Sequence, residues 1–370
     1  MNNTKARSIA VLPGDGIGPE VISEALPVLN TVGIKLDLKF GEIGWKCWQE
    51  QANPVPEATW KIIRESDATL LGAITSKPAR EAEEELPPQF RSNSLKYVSP
   101  VVQLRQKLSL TANYRPVFDL RRSLFDFVVI RENTEGLYSG IDEFPVSDAL
   151  WPVISQHPNV VASSRHGVSV SIRLQTWTAL STVIEKGFIL AKNRKKLLTI
   201  ADKPNVLRQS SQLIREVVEK ISTDYPEVDV EILNVDAVAM WMVTRPSRFD
   251  VIVAENMFGD ILSDVGAGVM GGLGLAPSGN IGLQHAYFEP VHGSAPHMAG
   301  QGKANPMAMF LTIAALLDYL KETDKANLIR NAVQAVLRNG KILTYDLGGE
   351  SSTSQVADAV LEAVTIGANK

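Results

Sequence analysis

The first 74 residues alternate between short apolar runs and helix-like segments, and this alternation restricts the fold more than any other feature of the chain. Strands are predicted at Ser8 to Leu12, Leu36 to Phe40 and Ala68 to Ile74, with helices at Pro19 to Leu29 and Pro56 to Glu65 between them. A βαβαβ order is typical of layered α/β domains in which helices cover a largely parallel sheet. The sequence therefore predicts the α/β class.

The rest of the chain continues this pattern with one interruption. Further strands are predicted at Phe125 to Ile130, Lys196 to Ile200, Val228 to Leu233 and Val251 to Ala254, with a helix at Val101 to Leu108 and three helices in the last ~65 residues. Residues 80–92 are interpreted as a polar, acidic loop, and residues from about 140 to 180 as an arm or insertion. At 370 residues the chain exceeds the size of a single core, so we expect two domains or one domain with a large insertion.

Composition excludes several classes of protein. The chain is 45% hydrophobic and 21% charged, with a formal net charge of -4 and no long basic run, so a nucleic-acid partner is not expected. No apolar run reaches the ~18 residues that a membrane span needs, and the N-terminus lacks the apolar run of a signal peptide. The single cysteine, Cys47, excludes an internal disulfide and fits a cytoplasmic protein; its tryptophan-rich surroundings favour a packing role.

Three arginines are candidates for binding an anion. Arg105 and Arg115 lie in LRQKLSLTANYRP, and Arg131 follows an apolar strand and opens RENTEGLYSG, which also contains Tyr138. Guanidinium groups bind carboxylates in a bidentate manner, and α/β proteins build sites at strand ends. Solvated surface arginines are the commoner outcome, so the residues alone leave both interpretations open.

Carboxylates and a lysine also follow predicted strands. The stretch AENMFGDILSD places Asp260 and Asp264 on one face of a helix, where like charges repel. A hard cation such as Mg²⁺ or Mn²⁺ would relieve this repulsion, because it prefers oxygen ligands. Asp236 in NVDAVAM could supply a third ligand, and Lys203 lies in ADKPNV. The alternatives are exposed helical aspartates and an ordinary turn.

The glycine-rich stretch LPGDGIGPEV matches a dinucleotide fingerprint poorly. Its spacing is G-x-G-x-G, whereas the Rossmann fingerprint requires G-x-G-x-x-G and a later acidic residue. A tight turn after a strand is therefore favoured over a phosphate site.

Taken together, these stretches resemble the β-decarboxylating dehydrogenases, which include isocitrate, homoisocitrate, 3-isopropylmalate and tartrate/malate dehydrogenases. GGLGLAPSGNIG and EPVHGSAPHMAGQGKANP add to the resemblance, which covers nearly the whole chain in order. It implies the non-Rossmann isopropylmalate/isocitrate dehydrogenase-like fold, with two domains, and a homodimer with shared active sites. The implied large, nucleotide-binding domain comprises residues 1–110 and 272–370. The small substrate and dimerisation domain comprises residues 111–271, including an arm at about 140–185 that clasps the partner.

The resemblance also implies a reaction, the metal-dependent oxidative decarboxylation of a 3-carboxy-2-hydroxy acid with NAD or NADP. The substrate-binding residues would be Ser99, Arg105, Arg115 and Arg131. Asp260 and Asp264, joined by Asp236 of the partner subunit, would hold Mg²⁺ or Mn²⁺. Lys203 would promote loss of the hydroxyl proton, and Tyr138 would deliver a proton to the enol carbon.

The stretch YVSPVVQLR gives a mixed indication of the substrate. Ser99 matches a serine that binds the distal carboxylate in isocitrate enzymes, but Val101 replaces their asparagine. Val101 and Val102 are closer to the leucine pair of isopropylmalate enzymes, which carry an acidic residue where this chain has Val98. RENTEGLYSGIDEF and the block from GWKCWQEQANPVPEATW to LLGAITSKP favour the tricarboxylate branch, and isocitrate is the predicted substrate. Isopropylmalate and homoisocitrate are the main alternatives, followed by tartrate or D-malate, a regulatory subunit of a hetero-oligomeric relative and a metal-binding module without activity.

The resemblance places the nucleotide on the HGSAP loop and the residues after it. NAD-using members carry an aspartate at position 297 and NADP-using bacterial members a lysine, whereas this chain has His297. Relaxed coenzyme choice is therefore expected, with NADP favoured when His297 is protonated. The implied cofactor-binding residues are His292, Gly293, Ser294, Ala295, Pro296, His297, Met298, Asn305, Tyr345 and Asp346.

Overall fold

A computed structural model describes residues 7–91, 96–163 and 165–369, and the α/β class is confirmed. Ten strands form one sheet in the order β2-β1-β3-β12-β11-β4-β5-β10-β8-β9, and β6 and β7 form a separate pair. The strands are β1 (Ser8–Gly14), β2 (Asp37–Phe40), β3 (Ala68–Ala73), β4 (Ala112–Phe118), β5 (Asp126–Glu132), β6 (Asp142–Glu143), β7 (Val170–Ser171), β8 (Leu197–Asp202), β9 (Asp229–Asn234), β10 (Val251–Ala254), β11 (Pro277–Ile281) and β12 (Ala286–Pro290).

Helices connect and cover these strands. They are α1 (Gly18–Ala25), α2 (Val28–Thr31), α3 (Trp45–Gln51), α4 (Glu57–Arg64), α5 (Ala79–Glu84), α6 (Pro100–Lys107), α7 (Trp151–Ile154), α8 (Pro158–Val161), α9 (Trp177–Lys192), α10 (Arg208–Ser222), α11 (Val235–Thr244), α12 (Asn256–Met270), α13 (Met307–Tyr319), α14 (Thr323–Asn339) and α15 (Thr353–Ala368). The three predicted C-terminal helices are thus present. Within the described ranges, no helix is long and apolar enough to cross a membrane.

The large sheet consists of two parallel blocks joined by antiparallel strands. Strands β2, β1, β3 and β12 run parallel to one another, as do β5, β10, β8 and β9. Between the blocks, β11 and β4 pair antiparallel with each other and with their outer neighbours. The first block and β11 come from residues 1–110 and 272–370, and the second block and β4 from residues 111–271. The two-domain division remains a prediction, because β11–β4 pairing makes the sheet continuous.

Strand β8 illustrates why helices cover both faces of the sheet. Leu198 and Ile200 pack in a core with α9 and α10, whereas Ala201 belongs to the core that includes α11 and α12. Successive side chains of a strand point to opposite faces, so two apolar layers are needed.

Three predicted segments differ from the structure. The helix expected over Pro19 to Leu29 is divided into α1 and α2, because Pro27 has no amide hydrogen to continue the helical bonding. Part of the expected acidic loop forms α5, whose Ala82 packs against Trp48. Residues 177–185 of the expected arm are the first turns of α9, whose inner face is buried.

The loop after β1 joins distant parts of the fold. The buried Asp15 carboxylate accepts hydrogen bonds from the amides of Trp45, at 2.7 Å, and Thr75, at 2.9 Å. Gly16 has a φ of +57°, and a Cβ there would lie 1.9 Å from the Ser294 carbonyl oxygen. The glycines of GDGIGPE therefore permit close packing against the HGSAP loop. Cys47 lies nearby in α3 and is buried, which raises the pKa of its thiol to about 11.

Candidate active site

Three arginines, two of them buried and the third largely so, lie close enough together for their charges to interact. Arg105 is on α6, Arg115 on β4 and Arg131 on the neighbouring strand β5. Arg115 is 7% exposed and Arg131 2%. Burial lowers the pKa of Arg131 to about 10, and the charges of Arg105 and Arg115 add to this effect. The sequence prediction that these residues form one group is therefore supported by their mutual electrostatics.

Neutral amides hold two of these guanidinium groups in place. Arg131 donates from Nε and Nη2 to the Asn256 side-chain oxygen, at 2.9 and 2.7 Å, and Arg115 donates from Nε to Asn113, at 2.6 Å. Burial lowers the pKa of Arg115, and its Nη1 has no hydrogen-bond partner among the described residues. A buried guanidinium with a free donor suits an incoming carboxylate.

Arg105 is held by residues that the sequence reasoning did not identify. Its Nε donates to the Tyr287 hydroxyl at 3.3 Å, and its Nη2 lies 3.7 Å from the Glu289 carboxylate. Burial acts to lower the pKa of Arg105, but Tyr287 and Glu289 outweigh it and the pKa is raised. The sequence does contain a sign of their joint role, because alternate residues of a strand share a face and AYFEP therefore places Tyr287 and Glu289 on the same face of β12.

Helix α12 brings carboxylates to the arginines. Asp260 pairs with Arg131 and accepts a hydrogen bond from the Tyr138 hydroxyl at 2.6 Å. Asp264, one turn later, lies 3.8 Å from Arg115 Nη1, and burial raises the pKa of its carboxyl. Burial and then the Asp260 carboxylate raise the pKa of Tyr138. Arginines therefore relieve part of the predicted repulsion between Asp260 and Asp264.

Lys203 and Asp236 form a second group. The Lys203 ammonium contacts the exposed Asp236 carboxylate and holds its pKa below the usual value. Among the described residues of one chain, no group of three or more histidine, cysteine, aspartate or glutamate side chains could hold a metal ion. Asp236 is therefore not brought to Asp260 and Asp264 within a single chain.

Ser99 lies at the start of α6, two turns before Arg105. Its hydroxyl is 2.8 Å from that of Ser76, in the segment after β3. Thr75, the preceding residue, shares a 2.7 Å hydrogen bond with the Ser294 hydroxyl. The predicted substrate residue and the predicted cofactor loop are thus connected through residues 75 and 76.

A cavity of about 330 Å³ lies beside the HGSAP loop. Four of the residues that line the cavity are glycines, so a ligand can approach the backbone there. Burial lowers the pKa of His292, whose Nε2 has no hydrogen-bond partner in the described part of the chain. Seven predicted cofactor residues line the cavity: His292, Gly293, Ala295, Met298, Asn305, Tyr345 and Asp346.

Three predicted cofactor residues do not line this cavity. Ser294 is buried behind it, where its carbonyl accepts a hydrogen bond from the Ile17 amide at 2.8 Å. Pro296 and His297 are exposed in the turn that follows. Ser294 therefore anchors the loop, and His297 is placed on its outer side.

Guanidinium groups, helical carboxylates and a glycine-lined cavity are features typical of an enzyme that acts on a small anionic molecule. Comparison with known protein families identifies the class of enzyme. The model of the isocitrate/isopropylmalate dehydrogenase family matches residues 8–360. The chain therefore belongs to this family of dehydrogenases.

Individual relatives agree with this assignment. Protein DlpA of Legionella pneumophila is 48% identical over 367 residues, covering 98% of this chain; the chain spans only 59% of that protein's length. An isocitrate/homoisocitrate dehydrogenase of Thermus thermophilus is 42% identical over 368 residues, covering 97% of this chain and 99% of the relative. The crystal structure of isocitrate dehydrogenase from Methylococcus capsulatus is similar with a TM-score of 0.83 and 35% identity, covering 97% and 99% of the two chains.

Proposed function

We propose that this chain catalyses the metal-dependent oxidative decarboxylation of a 2-hydroxy acid that carries a carboxylate on C3, with a nicotinamide dinucleotide as hydride acceptor. The convergence of Arg105, Arg115 and Arg131 beside Tyr138 carries this proposal. Largely buried guanidinium groups have a high desolvation cost, which Asp260, Asp264 and Glu289 offset in part. The carboxylates of a polycarboxylate substrate would offset more of it.

The residues fit a divalent cation. Asp260 and Asp264 are hard oxygen donors one helical turn apart, and the Asp264 side chain is 63% exposed. A third carboxylate must come from outside this group, and Asp236 of the partner subunit would provide it. When bound, the cation supplies Lewis-acid stabilisation of negative charge on the substrate oxygens, and the nicotinamide accepts a hydride from C2.

The chain's own residues would bind the substrate and move protons. The three guanidinium groups would hold the carboxylates and fix the face of C2. Lys203 of the partner subunit would promote loss of the C2 hydroxyl proton, which it can accept only as the neutral amine. After CO₂ leaves C3, Tyr138 would give its proton to that carbon. The raised pKa of Tyr138 keeps its hydroxyl protonated for this step.

Isocitrate is the proposed substrate. The Ser99 hydroxyl at the start of α6 is a donor for a distal carboxylate, and Ser76 orients it. Val98 and Val102 on the same segment are 42% and 37% exposed, which favours 3-isopropylmalate as the second candidate because its side chain is apolar. The similarity to a Thermus thermophilus isocitrate/homoisocitrate dehydrogenase supports the first assignment.

NAD⁺ is the proposed cofactor in preference to NADP⁺. The cavity beside the HGSAP loop includes the Asp346 carboxylate, and its described lining residues include neither lysine nor arginine. A 2′-phosphate would therefore meet no cation there. We expect kcat/KM for NAD⁺ to exceed that for NADP⁺ by about tenfold or more. A ratio that favours NADP⁺ at pH 6 and reverses at pH 8 would instead support the role of protonated His297.

A homodimer is the proposed assembly. Met240 and Val243 on α11 are 53% and 62% exposed, and Ile261 on α12 is 55% exposed. Apolar side chains grouped on two adjacent helices favour burial by a partner. The single buried cysteine fits the reducing cytoplasm, where we place the enzyme.

A panel assay at 340 nm with Mg²⁺ or Mn²⁺ and either nucleotide tests this function. The substrates are isocitrate, homoisocitrate, 3-isopropylmalate, D-malate and tartrate. We expect metal-dependent reduction of NAD⁺ with isocitrate and production of CO₂. Activity with 3-isopropylmalate alone would move the assignment to the second candidate, and no turnover with any of them would contradict the proposal.

A further inference from the structure

A largely buried ion pair contacts both groups of functional residues. Glu255 precedes α12, and its side chain is only 4% exposed. Its Oε1 accepts a hydrogen bond from the Phe258 amide at 3.1 Å, which caps the helix that carries Asp260 and Asp264. A Cβ on Gly136 would lie 2.7 Å from the Glu255 Oε2, so the loop that leads to Tyr138 also packs against this carboxylate.

Arg173 is the partner of Glu255. Its Nε lies 3.6 Å from Oε2 of Glu255, and its guanidinium lies 5.3 Å from the Phe258 ring centroid. Leu174, the next residue, exchanges two backbone hydrogen bonds with Gly136, at 2.8 and 3.2 Å. Arg173 therefore contacts the start of α12 and adjoins the loop of Tyr138.

The same arginine also reaches the group that contains Lys203. Its Nη1 donates to the Ser210 hydroxyl at 3.2 Å, in the first turn of α10. The Lys203 carbonyl accepts hydrogen bonds from Val206 and Leu207 immediately before that helix, at 3.0 and 2.9 Å. The Arg173 side chain, which is 14% exposed, thus connects the start of α12 to the start of α10.

We infer that Arg173 and Glu255 are a positioning pair that couples the two active sites of the dimer. This inference rests on the proposed function, in which the α12 carboxylates serve one active site and Lys203 serves the other. Loss of either partner leaves a buried charge without its counter-ion, so both helix starts must adjust. The pair is therefore a physical link between the sites rather than a contact of one site only.

Hybrid dimers can separate the two effects of Arg173. A dimer of one Lys203→Met chain and one chain with intact Lys203 has a single functional site, built from α12 of the first chain and Lys203 of the second. Arg173→Met is placed in either chain, and the chains carry different affinity tags for purification. We expect kcat of the single site to fall about tenfold or more in both placements, because small displacements of catalytic groups have effects of this size.

If kcat falls when Arg173→Met is in only one of the two chains, or in neither placement, the coupling is overturned. Arg165→Met is the matched control, since Arg165 also lies in the segment 140–176 but pairs with an Asp148 side chain that is 97% exposed. It should leave kcat unchanged in both placements. If Arg173→Met does not fold, Arg173→Lys in the same placements gives the same comparison with a smaller loss.

One further hybrid distinguishes failure of this inference from failure of the proposed function. Lys203→Met and Asp264→Asn homodimers should both be inactive, and their hybrid, which has one intact site, should regain up to about half of the wild-type activity if sites are shared. An inactive hybrid would overturn the shared site itself. If the hybrid is active and Arg173→Met leaves kcat unchanged in either chain, only the coupling is overturned.

Discussion

At the scale of single residues, Lys203 is the sharpest test of the proposed chemistry. Lys203→Met removes the proposed proton acceptor but keeps a side chain of similar length, so we expect kcat to fall by about 10²-fold or more. Binding of NAD⁺, followed by tryptophan fluorescence, should not change. Lys61→Met, on the exposed face of α4, is the control and should retain full activity. Turnover near the wild-type rate in Lys203→Met would contradict the assigned role.

His292 makes a prediction about stability and pH. Burial lowers its pKa in the folded protein, so the unfolded chain binds a proton first as the pH falls. His292 therefore contributes to the free energy of unfolding above its unfolded-state pKa of about 6.5, and this contribution is lost as the pH falls below that value. Between pH 7.5 and 5.5, the melting temperature of His292→Gln should fall less than that of the wild type, by roughly 2 °C.

The matched control is His297→Gln, because His297 is exposed in the same loop. Its melting temperature should follow the wild-type pH dependence. Equal pH dependence of both variants and the wild type would show that burial of His292 has no part in acid stability.

Local patterns in the sequence predicted which residues act together within one element, whereas contacts between distant residues were implied only by the family resemblance or were missed. The helical spacing of Asp260 and Asp264 was visible in the sequence, and both lie beside the arginines. Tyr287 and Glu289 were missed, because Tyr287 is 182 residues from the Arg105 that it contacts. Local periodicity contains no information about such a pairing.

At the scale of elements, the packing of α12 on β5 should depend on Gly259. A Cβ there would lie 2.7 Å from Arg131 Cβ and 3.0 Å from its Cα, so an added methyl group forces the helix away from the strand. We expect Gly259→Ala to reduce the free energy of unfolding by about 1–3 kcal/mol and to lower kcat, since Arg131 and Asp260 are displaced together. Urea unfolding monitored by circular dichroism and steady-state assays measure both quantities.

Gly367→Ala is the control for helix propensity. Gly367 lies in the last turn of α15, and the nearest atom to its added Cβ, from Leu328, is at an ordinary 3.6 Å. The substitution should leave stability unchanged or raise it slightly. If Gly259→Ala behaved like Gly367→Ala, the contact between α12 and β5 would not be the constraint that the structure indicates.

Elements with strong local patterns were predicted, and elements that depend on neighbours were not. The early strands were recognised from continuous apolar runs. No strand was predicted at β11, because proline and glycine disfavour strands, yet β12 and β4 pair with it on both sides. Helix α3 is short, and its first amide is bound by the distant Asp15. Tertiary contacts therefore decide these elements.

At the scale of the whole molecule, the decisive prediction concerns the dimer. The exposed Ile261 lies between Asp260 and Asp264 in sequence but points away from the buried face of α12. An aspartate at this position would place a charge in the proposed interface, where it has no partner. We expect Ile261→Asp to sediment as a folded monomer at micromolar concentration and to lose nearly all activity. Within a single chain, the Lys203–Asp236 pair is not brought to Asp260 and Asp264, so a monomer would lack a complete site.

Leu283→Asp controls for the general effect of replacing an exposed apolar residue by a charge. Leu283 is 93% exposed in the turn between β11 and β12, away from α11 and α12, and its variant should remain an active dimer. An Ile261→Asp monomer with full activity would show that one chain completes its own site. Rescue of activity at high protein concentration, in step with dimer formation, is expected instead, because association then restores the groups that a single chain separates.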